Sequence, residues 1–249
     1  MRLRRKTSES RGIIETIQDR LRLLADPKRA QGLQRFFKTG PGQYGAGDRF
    51  LGIRVPQLRK LSREYGNCSV ENALALLRSP IHEERLLALL LLMRGFAEGP
   101  ESTRRRIYDS YLSHSRYVNN WDLVDISAQH IIGAFLWDKD RSPLYPLAKS
   151  ENLWERRIAI MATLFFIRQG RFEETLKISA MLLGDEEDLI HKAVGWMLRE
   201  VGKRELRAEE DFLEKHYKKM PRTMLRYAIE RFPEAKRRQY LQGEILARG

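Results

Sequence analysis

Apolar residues fall at helical spacing along nearly the whole of this 249-residue chain, and that periodicity limits the fold more than any other feature. It predicts helices over residues 13–24, 27–38, 56–65, 70–77, 82–96, 102–112, 121–135, 153–169, 172–183, 189–203, 208–220, 221–232 and 235–246. The connectors are short and carry Gly or Pro, as at Ser79-Pro80, Gly99-Pro100, Gly170, Gly184-Asp185 and Met220-Pro221. Strand alternation is nearly absent. The chain therefore reads as all-α.

Several of these helices resemble one another. Segments 82–90, 154–161, 190–196 and 224–229 each set a cation just before an apolar block. Those cations, Arg85, Arg157, Lys192 and Arg226, lie 72, 35 and 34 positions apart, and the first gap is two periods with its midpoint at Trp121. Such spacing belongs to stacked two-helix repeats of the HEAT kind, an α-α solenoid in which each repeat buries its apolar face on its neighbours. The expectation is one domain over residues 1–249, with a basic tail at about residues 1–10 and a superhelix whose concave groove carries one cation per repeat. Solvated cations flanking core helices would give the same spacing. The formal net charge of +13 favours a continuous positive track.

Composition narrows the partner. Lys and Arg number 46 against 33 Asp and Glu, so a polyanion is the expected ligand. Hydrophobic content of 42% with 32% charged residues describes a folded protein. The longest apolar run, residues 86–93, is far short of the roughly 18 residues that span a bilayer, so no membrane role is expected. The basic N-terminus lacks the apolar region of a secretory signal. A lone cysteine, Cys68, forms no intrachain disulfide and fits a reducing compartment. His82, His114, His130, His191 and His216 are scattered without ligand spacing, so no metal is expected. The Gly-rich stretch 40–47 lacks the Lys-Ser/Thr ending of a P-loop; it reads as a helix connector touching a nucleic-acid backbone, and no cofactor is expected.

Chemistry concentrates in Asn119-Asn120-Trp121-Asp122-Leu123-Val124-Asp125. Trp121 and Asp125 stand four apart and share a helix face, while Asp122 points away from it. An aromatic packs on a sugar or base, and a carboxylate stabilises a developing cation. Two further tryptophans sit among cations: Trp154 with Arg157, and Trp196 with Lys192 and Arg199. Aromatics interleaved with cations suit bases, sugars and phosphates together. By residue type alone, each tryptophan reads more readily as core and Asp125 more readily as a surface carboxylate.

The segments 120–125, 152–157 and 193–200, together with 36–45 and 49–56, resemble the AlkD-type bacterial DNA alkylation repair glycosylases, in order, from about residue 30 to 235. The resemblance implies a monomeric HEAT-like glycosylase acting on double-stranded DNA in the bacterial cytoplasm, at the nucleoid, and releasing purines alkylated at N3 or N7. It implies Asp125 as the catalytic carboxylate, Trp121 and Trp196 as the aromatics flanking the lesion, Arg157 as a groove arginine and Arg199 as a backbone contact. Lys192, Arg85 and Arg226 complete the expected DNA-binding set. Some members carry a second aromatic where this chain has Asn120, a departure that touches packing beside the site. A cationic base leaves neutral and needs no general acid, so one carboxylate facing the oxocarbenium-like sugar suffices, without a deep pocket for an extruded base. The rival readings are a non-catalytic HEAT-like binder of damaged, bent or branched DNA, and a scaffold for acidic proteins.

Overall fold

Local sequence starts the helices in ways the chain makes plain. Asp26, Ser69 and Asn152 stand at N-caps, where their side chains accept from the backbone N–H groups of Arg29, Asn72 and Trp154. Pro27 follows the first of these caps, where its fixed φ and missing N–H cost nothing. The computed structural model describes residues 2–245, with side chains from Gly12 onward. The basic side chains of the first ten residues and the expected helix end at Leu246 lie outside that range.

The chain divides into two compact units, Met1–Leu123 and Val124–Gly249. The first contains α1 (Arg2–Leu23), α2 (Pro27–Phe36), α3 (Val55–Glu64), α4 (Val70–Leu77), α5 (His82–Glu98) and α6 (Glu101–Ser113). Helix α5 is its centre and packs against α3, α4 and α6. Every residue from His82 to Leu92 is buried, so this part of the helix has no solvent stripe. Helix α7 (Trp121–Ala128) carries the boundary between the units and runs into a π-helical turn, Gln129–Gly133. The periodicity predicted one continuous helix over 121–135. The wider turn resets the side-chain register inside it.

The second unit contains α8 (Leu144–Ala148), α9 (Leu153–Ala162), α10 (Leu164–Arg168), α11 (Glu173–Met181), α12 (Asp188–Gly202), α13 (Leu206–His216), α14 (Arg222–Ala228) and α15 (Glu234–Gln242). The helix predicted over 153–169 is interrupted at Thr163, whose hydroxyl donates to the Ile160 carbonyl at 2.7 Å. Helix α8 arises where no helix was predicted, and α1 begins at Arg2 rather than near residue 13. At the centre of this unit, α12 packs on α9, α13 and α14. Its buried face is Ile190, Ala193, Val194, Met197, Leu198 and Val201, the three-and-four spacing of an amphipathic helix.

The fold class is all-α, as the periodicity predicts. Among the described residues the strand content is one isolated parallel bridge, between Arg49 and Ile81. No helix of these residues is long and apolar enough to cross a membrane.

Gly195 makes the α12–α14 contact possible. A Cβ there would lie 2.4 Å from the Met224 carbonyl oxygen and 2.5 Å from the Tyr227 Cβ. Gly195→Ala should therefore destabilise the protein by about 1–3 kcal/mol through overpacking, despite alanine's better helix propensity. Urea titration checks this; a variant as stable as wild type would show that the two helices separate freely.

Candidate functional site

In the first unit the start of α5 gathers a buried ionic cluster. His82 donates through Nδ1 to Asp48 Oδ2 at 3.1 Å and through Nε2 to Asp122 Oδ2 at 2.8 Å. Arg85 donates to the other Asp48 oxygen at 2.6 Å and to the Ser79 carbonyl at 3.0 Å. Asn120 is fully buried; its amide donates to Asp48 at 3.1 Å, and its oxygen accepts from the Trp121 N–H at 2.8 Å. Burial alone would push the His82 imidazole down, but the two carboxylates outweigh it and raise its pKa to about 9. Burial likewise works against ionisation of Asp48, and there His82, Arg85 and Asn120 prevail and hold it below the usual carboxylate range.

Aromatic rings cover this cluster. Phe50 stacks on His82 with centroids 4.4 Å apart, and Phe37 lies parallel to Phe50 at 5.1 Å and to Trp121 at 5.3 Å. Phe36 meets Trp121 edge-on at 6.0 Å and remains 62% exposed. Trp121 is thereby held on one side by rings and at its backbone by Asn120.

In the second unit Arg157 forks onto Asp125. Its Nε reaches Oδ1 and its Nη2 reaches Oδ2, both at 2.8 Å, while Nη1 donates to the Leu189 carbonyl. The guanidinium is nearly inaccessible, and the Asp125 side chain keeps 17% of its exposure. A fork of this kind takes one lone-pair site on each carboxylate oxygen out of about four in all.

The other expected site residues fall as follows. Trp196 is half-buried and donates through Nε1 to Glu200 at 3.2 Å. Lys192 pairs with Asp188 at 2.7 Å one turn earlier. Arg199 pairs with Glu230, and behind it burial together with the neighbouring Glu210 pushes the Glu209 carboxyl up to about 8. Arg226 is exposed.

Two residues of the expected DNA-binding set are buried. Arg85 and Arg157 were both expected to face DNA, but they are 3% and 5% exposed, and their guanidiniums are committed to Asp48 and Asp125. Each guanidinium holds a carboxylate in place. The sequence reading also missed His82, whose carboxylate partners lie 34 and 40 positions away. The available signal was the run His82-Glu83-Glu84-Arg85, four ionisable residues leading directly into the most apolar segment of the chain.

Comparison with known proteins places these residues in context. Residues 17–232 match the model of a family described as DNA alkylation repair enzymes. No curated protein matches the sequence. Among solved structures, a predicted DNA alkylation repair enzyme from Enterococcus faecalis superposes with a TM-score of 0.64 at 18% identity. The match covers 84% of this chain and 97% of that one, a likeness of fold.

The His82 cluster has a measurable pH signature. Its folded pKa of about 9 lies above the ordinary 6.5, so its stabilisation is fully present below pH 6.5 and is lost as pH rises through about 9. His82→Gln should destabilise the protein at pH 6 by about 3 kcal/mol or more, since it breaks a buried charge network. The gap between variant and wild type, measured by urea titration, should narrow between pH 6.5 and 9.5. A gap that stayed constant or widened would mean that His82 is buried uncharged.

Proposed function

Because the chain belongs to the family of DNA alkylation repair enzymes, we propose that it is a DNA glycosylase that excises N3- and N7-alkylated purines, with Asp125 as its catalytic carboxylate. The observation that carries this reading is the Asp125–Arg157 fork: a carboxylate fixed at both oxygens yet still reachable from solvent. Trp121 stands one helical turn before it on α7.

The chemistry follows from the substrate. A purine alkylated at N3 or N7 already carries positive charge. When its C1′–N9 bond breaks, the base takes the bonding pair and leaves neutral, and the deoxyribose becomes an oxocarbenium-like cation. Asp125 stabilises that cation and orients the water that attacks C1′, accepting its proton directly or passing it to solvent. Neither a metal nor a second carboxylate is required. Trp121 and Trp196 pack on the sugar and backbone and hold it against the carboxylate. Arg157 acts through Asp125 as a positioning residue. Arg226, Lys192 and Arg199 supply phosphate contacts, the last two by exchanging Asp188 and Glu230 for the backbone.

The decisive assay measures base released from duplex DNA containing 7-methylguanine. Wild type should release 7-methylguanine and 3-methyladenine and leave uncharged hypoxanthine and uracil in place. Binding without release would leave a damaged-DNA binder instead. Asp125→Asn should keep DNA affinity and lower the single-turnover rate on the order of 10²-fold. Circular dichroism should confirm its fold, because Arg157 loses its charge partner. Excision near the wild-type rate by a folded variant would rule out Asp125.

A further inference from the structure

One segment singled out by sequence remains without a role, the Gly-rich stretch 40–47. Its end forms one wall of a recess of about 270 Å³ in the first unit, together with Arg78, Ser79, Arg85, Tyr117 and Asn119. The wall's shape depends on glycine. Gly47 has φ +86°, a conformation that L side chains rarely adopt, and a Cβ there would meet nothing within 4 Å.

The recess is electrically lopsided. Asp48 lines it, but both of its oxygens are occupied, one by Arg85 and the other by His82 and Asn120. Arg78 is different from the clamped arginines of this protein. It is exposed, and its hydrogen bond runs to a ring nitrogen and not to a carboxylate: Nη2 donates to His114 Nε2 at 2.9 Å. His114 accepts there because its Nδ1–H donates to the Ser110 carbonyl at 2.9 Å. No carboxylate of the described residues pairs with Arg78. A guanidinium oriented by an imidazole rather than a carboxylate keeps its charge for a ligand.

Other features of the recess point the same way. Arg116 sits over the Tyr117 ring, its Cζ 4.7 Å from the centroid, and donates to the Tyr117 hydroxyl at 2.7 Å. That adds a second guanidinium beside the recess, which pairs with no carboxylate of the described residues. Asn119 has a buried oxygen with no hydrogen-bond partner. Turning its amide by 180° puts N–H donors in that place. Buried Arg85 also retains an unpartnered Nε–H. Oriented cations, unsatisfied amide and guanidinium groups, and a neutralised carboxylate are what a phosphate group needs.

We propose that this recess is a subsite for one backbone phosphate of the bound DNA, with Arg78 as its principal ligand. The proposal rests on the DNA-acting reading above and assigns the Gly-rich stretch its function. It places a phosphate contact in the first unit, on a principal ligand that the sequence resemblance does not nominate.

The test measures duplex affinity of the full chain against salt for wild type, Arg78→Gln, Arg78→Lys and Lys60→Gln. Lys60 is an exposed α3 lysine paired with Glu64, so its variant controls for loss of net charge alone. Arg78→Gln should weaken binding several-fold at low salt and reduce the slope of log K against log salt by about 0.9, the value for one phosphate. Arg78→Lys should restore the slope, and Lys60→Gln should match wild type. If Arg78→Gln instead matches Lys60→Gln while wild type keeps its salt dependence and base release, the subsite is wrong and the glycosylase reading stands. If wild-type binding is insensitive to salt, the DNA-acting reading itself falls. Titration with inorganic phosphate, followed by the Gly47 amide resonance, separates the two sources of phosphate. Weak, Arg78-dependent shifts that duplex DNA reverses support the proposal. Tight phosphate binding that leaves duplex affinity unchanged at matched ionic strength would overturn it in favour of a free-phosphate site.

Discussion

The first turn of α5 places four ionisable residues in a row, His82, Glu83, Glu84 and Arg85, where none is more than 4% exposed. Each is matched by a partner from elsewhere in the first unit. Glu83 accepts from the backbone N–H groups of Leu51, Gly52 and Ile53 at 2.9, 2.7 and 3.2 Å. Glu84 accepts from Gln18 of α1, and His82 and Arg85 share Asp48. Buried charges of this kind add little net stability over an apolar core, but breaking one leaves an uncompensated charge in a low dielectric. Their effect is on specificity. Residues 48–53 have one acceptable position against α5, and Asn120 and Asp122 bind the start of α7 to the same cluster. The packing of Trp121 follows from that anchoring.

The second unit uses the same device with different residues. Arg157 clamps Asp125, Arg156 clamps Asp185, Arg141 clamps Glu174, and Arg199 clamps Glu230. The partners stand 32, 29, 33 and 31 positions apart, close to the spacing at which the cations recur in sequence. A helical array brings side chains one repeat apart into contact. Of the recurring cations, Arg157 therefore serves as a strut between elements about one sequence period apart, and Arg141, Arg156 and Arg199 act alongside it. The net charge of +13 acts through cations left without such struts.

This also explains what the sequence could and could not disclose. Apolar periodicity located most helices, because a face buried against neighbours must repeat every three to four residues. It failed where the deciding force was not periodic. The π-helical turn at 129–133 and the break at Thr163 are local hydrogen-bond choices inside uninterrupted apolar runs. The recurrence of Arg85 and Arg157 was visible, and so was Asp125. Their pairing was not, since a charge's partner one repeat away leaves no mark at short range. The same limit hid His82: its role depends on Asp48 and Asp122, and neither residue looks unusual beside its own neighbours.

The clamp on Asp125 raises the question of whether a carboxylate already bound to a guanidinium still stabilises a cationic sugar. At an effective dielectric of about 20, a carboxylate oxygen roughly 3 Å from the sugar contributes about −5.5 kcal/mol, and a guanidinium roughly 7 Å away returns about +2.4. The remainder, about 3 kcal/mol, corresponds to roughly 10²-fold in rate. Removing Arg157 would strengthen the raw attraction, yet it would free the carboxylate to swing or to protonate in its half-buried setting. A misplacement of about 1 Å costs a comparable 10²-fold. Holding Asp125 still thus returns as much as neutralisation takes away, so a buried arginine behind Asp125 is compatible with the catalytic role proposed for it.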